Sequence, residues 1–259
     1  MAKLPSYPVP ALDKGLDIIE ALASAAVPQS LADLAERLGR SSSELFRMLN
    51  CLERRGYLQR DAQSSRFGLS LKLFTLAHAH SATEKLLRAA RGPMQALTET
   101  FRESCHLSVL NRARLLVVAQ EESPDPVRLS VEVGGVFEVT HTVSGRLLLA
   151  FLGEGERTSV LDLAAPGLLK SAVGRRKLAR DLATIRRTGV SSASGETVQG
   201  VRDLAVLVGI PGTGAIAALA VSRLTRPRQQ KDETALLAGM RKAARGIASA
   251  LGLEATATP

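Results

Sequence analysis

Cys105 and His106 stand side by side, and a thiol next to an imidazole is the raw material of a nucleophile–base pair. The residues around them alternate like a strand, in which neighbours point to opposite faces. That spacing keeps the two side chains apart, so Cys105 is expected to pack and not to react. Cys51 is too distant in sequence for a CxxC site, and two such cysteines fit a reducing cytoplasm without structural zinc. The histidines, at 78, 80, 106 and 141, form no ligand pattern for a metal. Gly209-Ile210-Pro211-Gly212-Thr213-Gly214 has the glycines of a phosphate loop, but neither the lysine that should follow nor a strand-to-helix setting. A hairpin turn accounts for it better. No catalytic residue, metal or cofactor is assigned.

The remaining chemistry is concentrated in arginine. Net charge is +9, and residues 37–72 carry eight basic side chains against Glu44, Glu53 and Asp61. Residues 223–245 carry seven against Asp232 and Glu233, which leaves the rest of the chain close to neutral. A concentrated basic segment is the footprint of a nucleic-acid binder. With aromatic residues at 3% and no Trp, stacking on single strands is not its mode.

The first basic segment needs elements that present it to a duplex. Residues 11–25 place Leu12, Leu16, Ile19, Leu22 and Ala23 near the helical period. Ser30, with Asp33 three residues on, opens a second helix with a capping box; it buries Leu31, Leu34, Ala35 and Leu38 and stops at Gly39. Ser41, Ser42 or Ser43 caps a third helix, which buries Leu45, Met48, Leu49 and Leu52 and ends at Gly56. Residues 57–59 and 66–69 then read as two short strands about a polar turn. Three helices followed by a hairpin make a winged helix-turn-helix.

Its third helix would lie in the major groove with its first residues facing base edges. Arg40, Ser42, Ser43, Glu44 and Phe46 are then turned to DNA, and Arg47 is the candidate for a base or phosphate contact. The competing role for Arg47 is a surface ion pair with Glu44. Arg54, Arg55, Arg60 and Arg66 end the helix and flank the wing, where phosphates would run. Arg54 and Arg55 also suit the negative end of the helix dipole.

Beyond this region, residues 71–82 read as a joining helix, and 84–102 as a long helix bent or broken at Gly92-Pro93. Strands are expected at 106–110, 115–120, 127–133, 201–208 and 215–221, and helices at 144–152, 175–187 and 229–251. The fold class is α+β, with a DNA-binding domain at 8–70, a linker at 71–82 and a second domain at 83–254. At 259 residues, two domains of ordinary size are the natural division. No apolar run reaches membrane-spanning length, and the first residues lack a secretory core, which points to a soluble cytoplasmic protein without a membrane partner.

The order of elements and several short motifs resemble the IclR family of bacterial transcriptional regulators. The likeness rests on Ala11-Leu12-Asp13-Lys14-Gly15-Leu16, Leu31-Ala32-Asp33-Leu34-Ala35, Leu52-Glu53-Arg54-Arg55-Gly56-Tyr57-Leu58 and Arg66-Phe67-Gly68-Leu69. In the second domain it rests on Gly145-Arg146-Leu147-Leu148-Leu149-Ala150, Gly200-Val201-Arg202 and residues 217–222. The resemblance implies a winged-helix reader of a double-stranded operator, acting as repressor or activator. It also implies a GAF-like antiparallel-sheet domain that binds a small organic acid, and homodimers, which in the family are often paired into tetramers.

By the same resemblance, Val143, Ser144, Val201, Asp203, Ala220 and Ser222 line the effector pocket, with Pro126 and Leu129 as an apolar wall. The start of the helix at Ser144 and Gly145 offers backbone N–H groups that suit a carboxylate. Asp203 stands where small-acid binders of the family often carry Cys, and Ala220 where Ser is common. An inward Asp203 would repel an acid and call for a ligand with a hydroxyl or amine. An outward one would pair with Arg202 or Arg128. Two other classes of function remain as alternatives: an enzyme using the second domain as its active site, and a winged helix that contacts protein.

Overall fold

The computed structural model describes residues 9–78, 82–164, 172–210, 217–225 and 230–253, in two compact units, Met1–Ser81 and Ala82–Pro259. In the first unit, α1 (Pro10–Ala23), α2 (Leu31–Leu38) and α3 (Ser42–Arg54) precede β1 (Leu58–Arg60), β2 (Phe67–Leu69) and α4 (Lys72–His78). The capping box forms as the sequence requires: Ser30 Oγ accepts from the Asp33 N–H at 3.1 Å, and Asp33 accepts from the Ser30 N–H at 2.9 Å. Gly39, at φ +60°, takes the left-handed conformation that ends α2. Ser41 is the serine that caps α3. In the wing, Leu58 pairs with Leu69 and Arg60 with Phe67, and Gln29 bridges to Phe67 from the α1–α2 link.

Ile18, Leu22, Leu34, Leu45, Leu49, Leu58 and Phe67 make the core of this unit. Burying each such side chain contributes about 1.5–3 kcal/mol. Of the α1 positions at the helical period Leu22 is buried, with Ile18 and Ala21 beside it, while Leu12 and Leu16 are 58% and 47% exposed. The helix carries more apolar residues than one buried face can use.

The second unit is a six-stranded antiparallel sheet ordered β5-β4-β3-β8-β7-β6. Its strands are β3 (Cys105–Asn111), β4 (Arg114–Glu121), β5 (Val136–Glu138), β6 (Val190–Ser194), β7 (Val201–Val208) and β8 (Ala217–Leu224). Two helices, α5 (Ala82–Phe101) and α9 (Gln230–Ala250), share a core with Cys105, Leu107, Leu204, Val206 and Leu219. On the other face, α6 (Val143–Phe151), α7 (Glu154–Ala164) and α8 (Ala172–Thr188) pack on Ala205, Ala218 and Ala220. Period-two alternation thus divides these strands, β5 excepted, between two cores.

Three details depart from the sequence reading. Helix α5 runs through Pro93 without a break. It packs closely on α9, where a Cβ on Gly239 would clash with the Phe101 ring. Residues 127–133 form no strand; side chains hold this loop, with Ser130 Oγ donating to Glu122 and Gln120 accepting from the Val131 N–H. Strand β5 follows it instead, and β6 and α7 were not anticipated. Most of the expected 209–214 turn and residues 79–81 of the joining helix lie outside the described residues.

Candidate nucleic-acid interface and ligand cavity

Leu45 and Leu49 face inward on α3, which leaves Ser42, Ser43, Phe46, Arg47, Asn50 and Arg54 along its exposed side. Glu44 is taken by others. It accepts from Lys14 of α1 at 2.6 Å and from Ser41, and these bonds hold its carboxyl below the usual range. The alternative Arg47–Glu44 pair therefore does not form, and among the described residues the Arg47 guanidinium has no partner. Arg54 and Arg55 are also exposed, with side chains unpaired among the described residues.

Three other candidate cations are engaged within the unit. Arg40 bonds Asp17 at 2.9 Å, Arg66 bonds Asp33 at 2.8 Å and the Pro28 carbonyl, and Arg60 lies over the Phe67 ring. They brace the helix-turn-helix and the wing before they touch anything outside. Asn50 was missed by sequence reasoning, although its place four residues after Phe46 put it on the exposed stripe. Such a side chain can make two hydrogen bonds to adenine, as arginine can to guanine, and Phe46, 48% exposed, can meet a thymine methyl.

The second unit holds a cavity of about 330 Å³ between the sheet and the start of α6. Of the residues singled out for an effector, Leu129, Val143, Ser144, Val201, Asp203 and Ser222 line it. Pro126, Gly145 and Ala220 do not. Pro126 is exposed on the loop, and Ala220 is fully buried in the α6–α8 core. Gly145 serves packing: a Cβ there would lie 2.6 Å from Val139 Cα. Its N–H is also spent on the capping Thr142 hydroxyl, at 3.0 Å. The N–H groups of Val143 and Ser144, the first two residues of α6, have no such partner among the described residues. Ser144 Oγ is buried without a hydrogen bond.

Asp203 faces the cavity and accepts from Ser222 Oγ at 2.6 Å, across a register pair of β7 and β8. The outward alternative fails because Arg202 binds Glu233 and Arg128 binds Glu122. His106 also lines the cavity, and burial pushes its imidazole down to about 4. Cys105 points into the opposite core beside Thr98, where burial pushes its thiol up to about 11. The strand separates the two side chains as alternation requires. Phe137 of β5, with Thr197 and Val198 of the β6–β7 loop, completes the wall; the sequence had no local signal for these. Glu196 of that loop pairs with Arg146 of α6 at 2.7 Å.

A winged helix-turn-helix whose third helix exposes arginines that are unpaired among the described residues, followed by a separate domain with a ligand-sized cavity, is the architecture of a DNA-binding transcriptional regulator. Residues 11–62 match the IclR helix-turn-helix domain, and residues 78–249 match the C-terminal domain of the bacterial transcriptional regulator IclR. The chain belongs to the IclR family. It is 25% identical over 252 residues to the HTH-type transcriptional regulator XynR of Escherichia coli, covering 95% of this chain and 99% of that protein. It is likewise 25% identical to the acetate operon repressor of Salmonella typhimurium, covering 94% and 90%. Among solved structures, an IclR homolog from Microbacterium hydrocarbonoxydans complexed with 4-hydroxybenzoate matches with a TM-score of 0.78. The two are 25% identical, over 94% of this chain and all of that one. No helix among the described residues is long and apolar enough to cross a membrane.

Proposed function

We propose that this chain reads a duplex operator as a homodimer and changes its hold on that operator when a small organic acid fills the second unit's cavity. The observation that carries the reading is the exposed face of α3, where Arg47, Asn50 and Arg54 have no partners among the described residues while the neighbouring cations are tied down. Ser42, Ser43, Phe46 and Arg47 face the bases in this reading, and Arg54 and Arg55 follow the phosphates.

One winged helix touches too few base pairs to select a site in a genome, so two must act together. Val9, Leu12 and Leu16 form an exposed apolar stripe at helical spacing, which supports pairing of two copies through α1. For the effector, the cavity size and the free N–H groups of α6 support a small acid. The 4-hydroxybenzoate held by the Microbacterium homolog supports the same class.

Fluorescence anisotropy with DNA from upstream of the chain's own gene tests the whole reading. Tight binding relative to unrelated duplex, altered by a small acid, is expected. Equal affinity for both duplexes at every salt concentration would refute it.

A further inference from the structure

The cavity is acidic. Asp203 is a buried side chain within it, Glu132 stands at its wall, and no lysine or arginine lines it among the described residues. The nearby arginines bond elsewhere, Arg202 to Glu233, Arg128 to Glu122 and Arg146 to Glu196, and of these only Arg202 also acts on Asp203, through its charge and without a hydrogen bond. The Ser222 hydroxyl is the one hydrogen-bond donor that reaches Asp203 among the described residues. His106, held neutral by burial, adds no positive charge. A ligand that fills the space shuts water out of the cavity, and a desolvated carboxylate bonded by one neutral donor is strongly unfavourable.

At the wall formed by α6 the polarity is reversed. The N–H groups of Val143 and Ser144 are unspent among the described residues, and Ser144 Oγ, on a side chain 1% exposed, has no partner. These are donors at the positive end of a nine-residue helix. Between the two ends lie Leu115, Val117, Leu129 and Phe137.

We infer that the effector is an amino-bearing acid: an ammonium group that neutralises Asp203, an apolar body, and a carboxylate held by the start of α6 and Ser144. The inference rests on the cavity being the effector site and narrows the ligand that it takes. A plain acid leaves Asp203 with only the Ser222 hydroxyl and the distant charge of Arg202. A hydroxy acid gives it one more neutral donor but no charge, and charge-assisted bonds are roughly twice as strong.

Calorimetry on the full-length chain with matched probes tests this. Benzoate, 4-hydroxybenzoate and 4-(aminomethyl)benzoate form one series. Pentanoate, 5-hydroxypentanoate and 5-aminopentanoate form another, with shorter and longer spacers alongside. In at least one series the amine should bind tenfold or more tighter than both partners, and N-acetylation should remove the gain. Asp203→Asn should bring the three members level, while Ser144→Ala should weaken every carboxylate alike. If plain or hydroxy acids bind as tightly as the amines to the unaltered chain, the inference fails while the effector site stands. If none of these acids binds the unaltered chain, the small-acid effector reading itself falls, and the inference with it.

Discussion

Replacing His106 by Asn should flatten the pH dependence of the second unit's stability. The imidazole, ordinarily titrating near 6.5, is pushed down to about 4 by its burial against the sheet. Asp203 and Glu132 share its cavity, but neither bonds it. Between pH 6.5 and 4 the unfolded chain therefore binds a proton that the folded chain refuses, so stability rises with pH across that window. The contribution is complete above pH 6.5 and is lost as pH falls. At 1.36 kcal/mol per unit, the loss is about 2 kcal/mol by pH 5 and about 3 kcal/mol by pH 4. Tyr7 and Tyr57 both precede residue 82, so optical probes follow the wrong unit. Native-state hydrogen exchange at the central amides of β3 and β8 reports the second unit directly. The difference between the two chains should change by about 2 kcal/mol from about pH 7.5 to 5. If the two profiles stay parallel, burial does not hold His106 neutral and the reasoning fails.

Other perturbations have equally definite outcomes. Gly145→Ala should cost about 1–3 kcal/mol or more in thermal unfolding, because its Cβ would meet the Val139 backbone; a loss under about 0.5 kcal/mol would show that α6 yields easily. Asp33 is held below its usual range mainly by the Ser30 N–H, so its contribution is present above about pH 4 and lost as pH falls through the lower folded value. Circular dichroism should therefore show Asp33→Asn flattening the acid limb of the first unit's melting, and an unchanged limb would contradict the capping argument. Leu12→Ser with Leu16→Ser should shift a dimer to monomer in light scattering without lowering helix content; an unchanged mass would remove α1 from the interface.

Much of this was legible in the chain. The capping box at Ser30, the stop at Gly39 and the alternation around Cys105 are local rules, and each was obeyed because nothing distant opposed it. Failures came where packing decided. Leu12, Leu16 and Leu22 all matched the helical period, and packing within the unit buried only Leu22 of the three. Of the bend or break expected at Gly92-Pro93 the break does not occur, and α5 runs on through Pro93 packed against α9. Val201, Asp203 and Ser222 line the cavity because strand register fixed their side. Gly145 and Ala220 were drawn into helix packing, and His106 and Phe137 came from strands whose partners are distant in sequence. Arg40 and Arg66 read as free cations because the carboxylates that claim them, Asp17 and Asp33, lie more than twenty residues away.

Quantitative binding of Arg47→Ala and Arg54→Ala to the upstream operator and to unrelated duplex, at several salt concentrations, tests the central claim most directly. Arg47→Ala should cost about 1–3 kcal/mol on the operator and narrow its advantage over unrelated DNA. Arg54→Ala should weaken both duplexes alike and make the salt dependence shallower by about 0.9 for each phosphate that the dimer no longer neutralises. Unchanged operator preference in Arg47→Ala, with the variant folded, would contradict the claim that α3 reads the sequence.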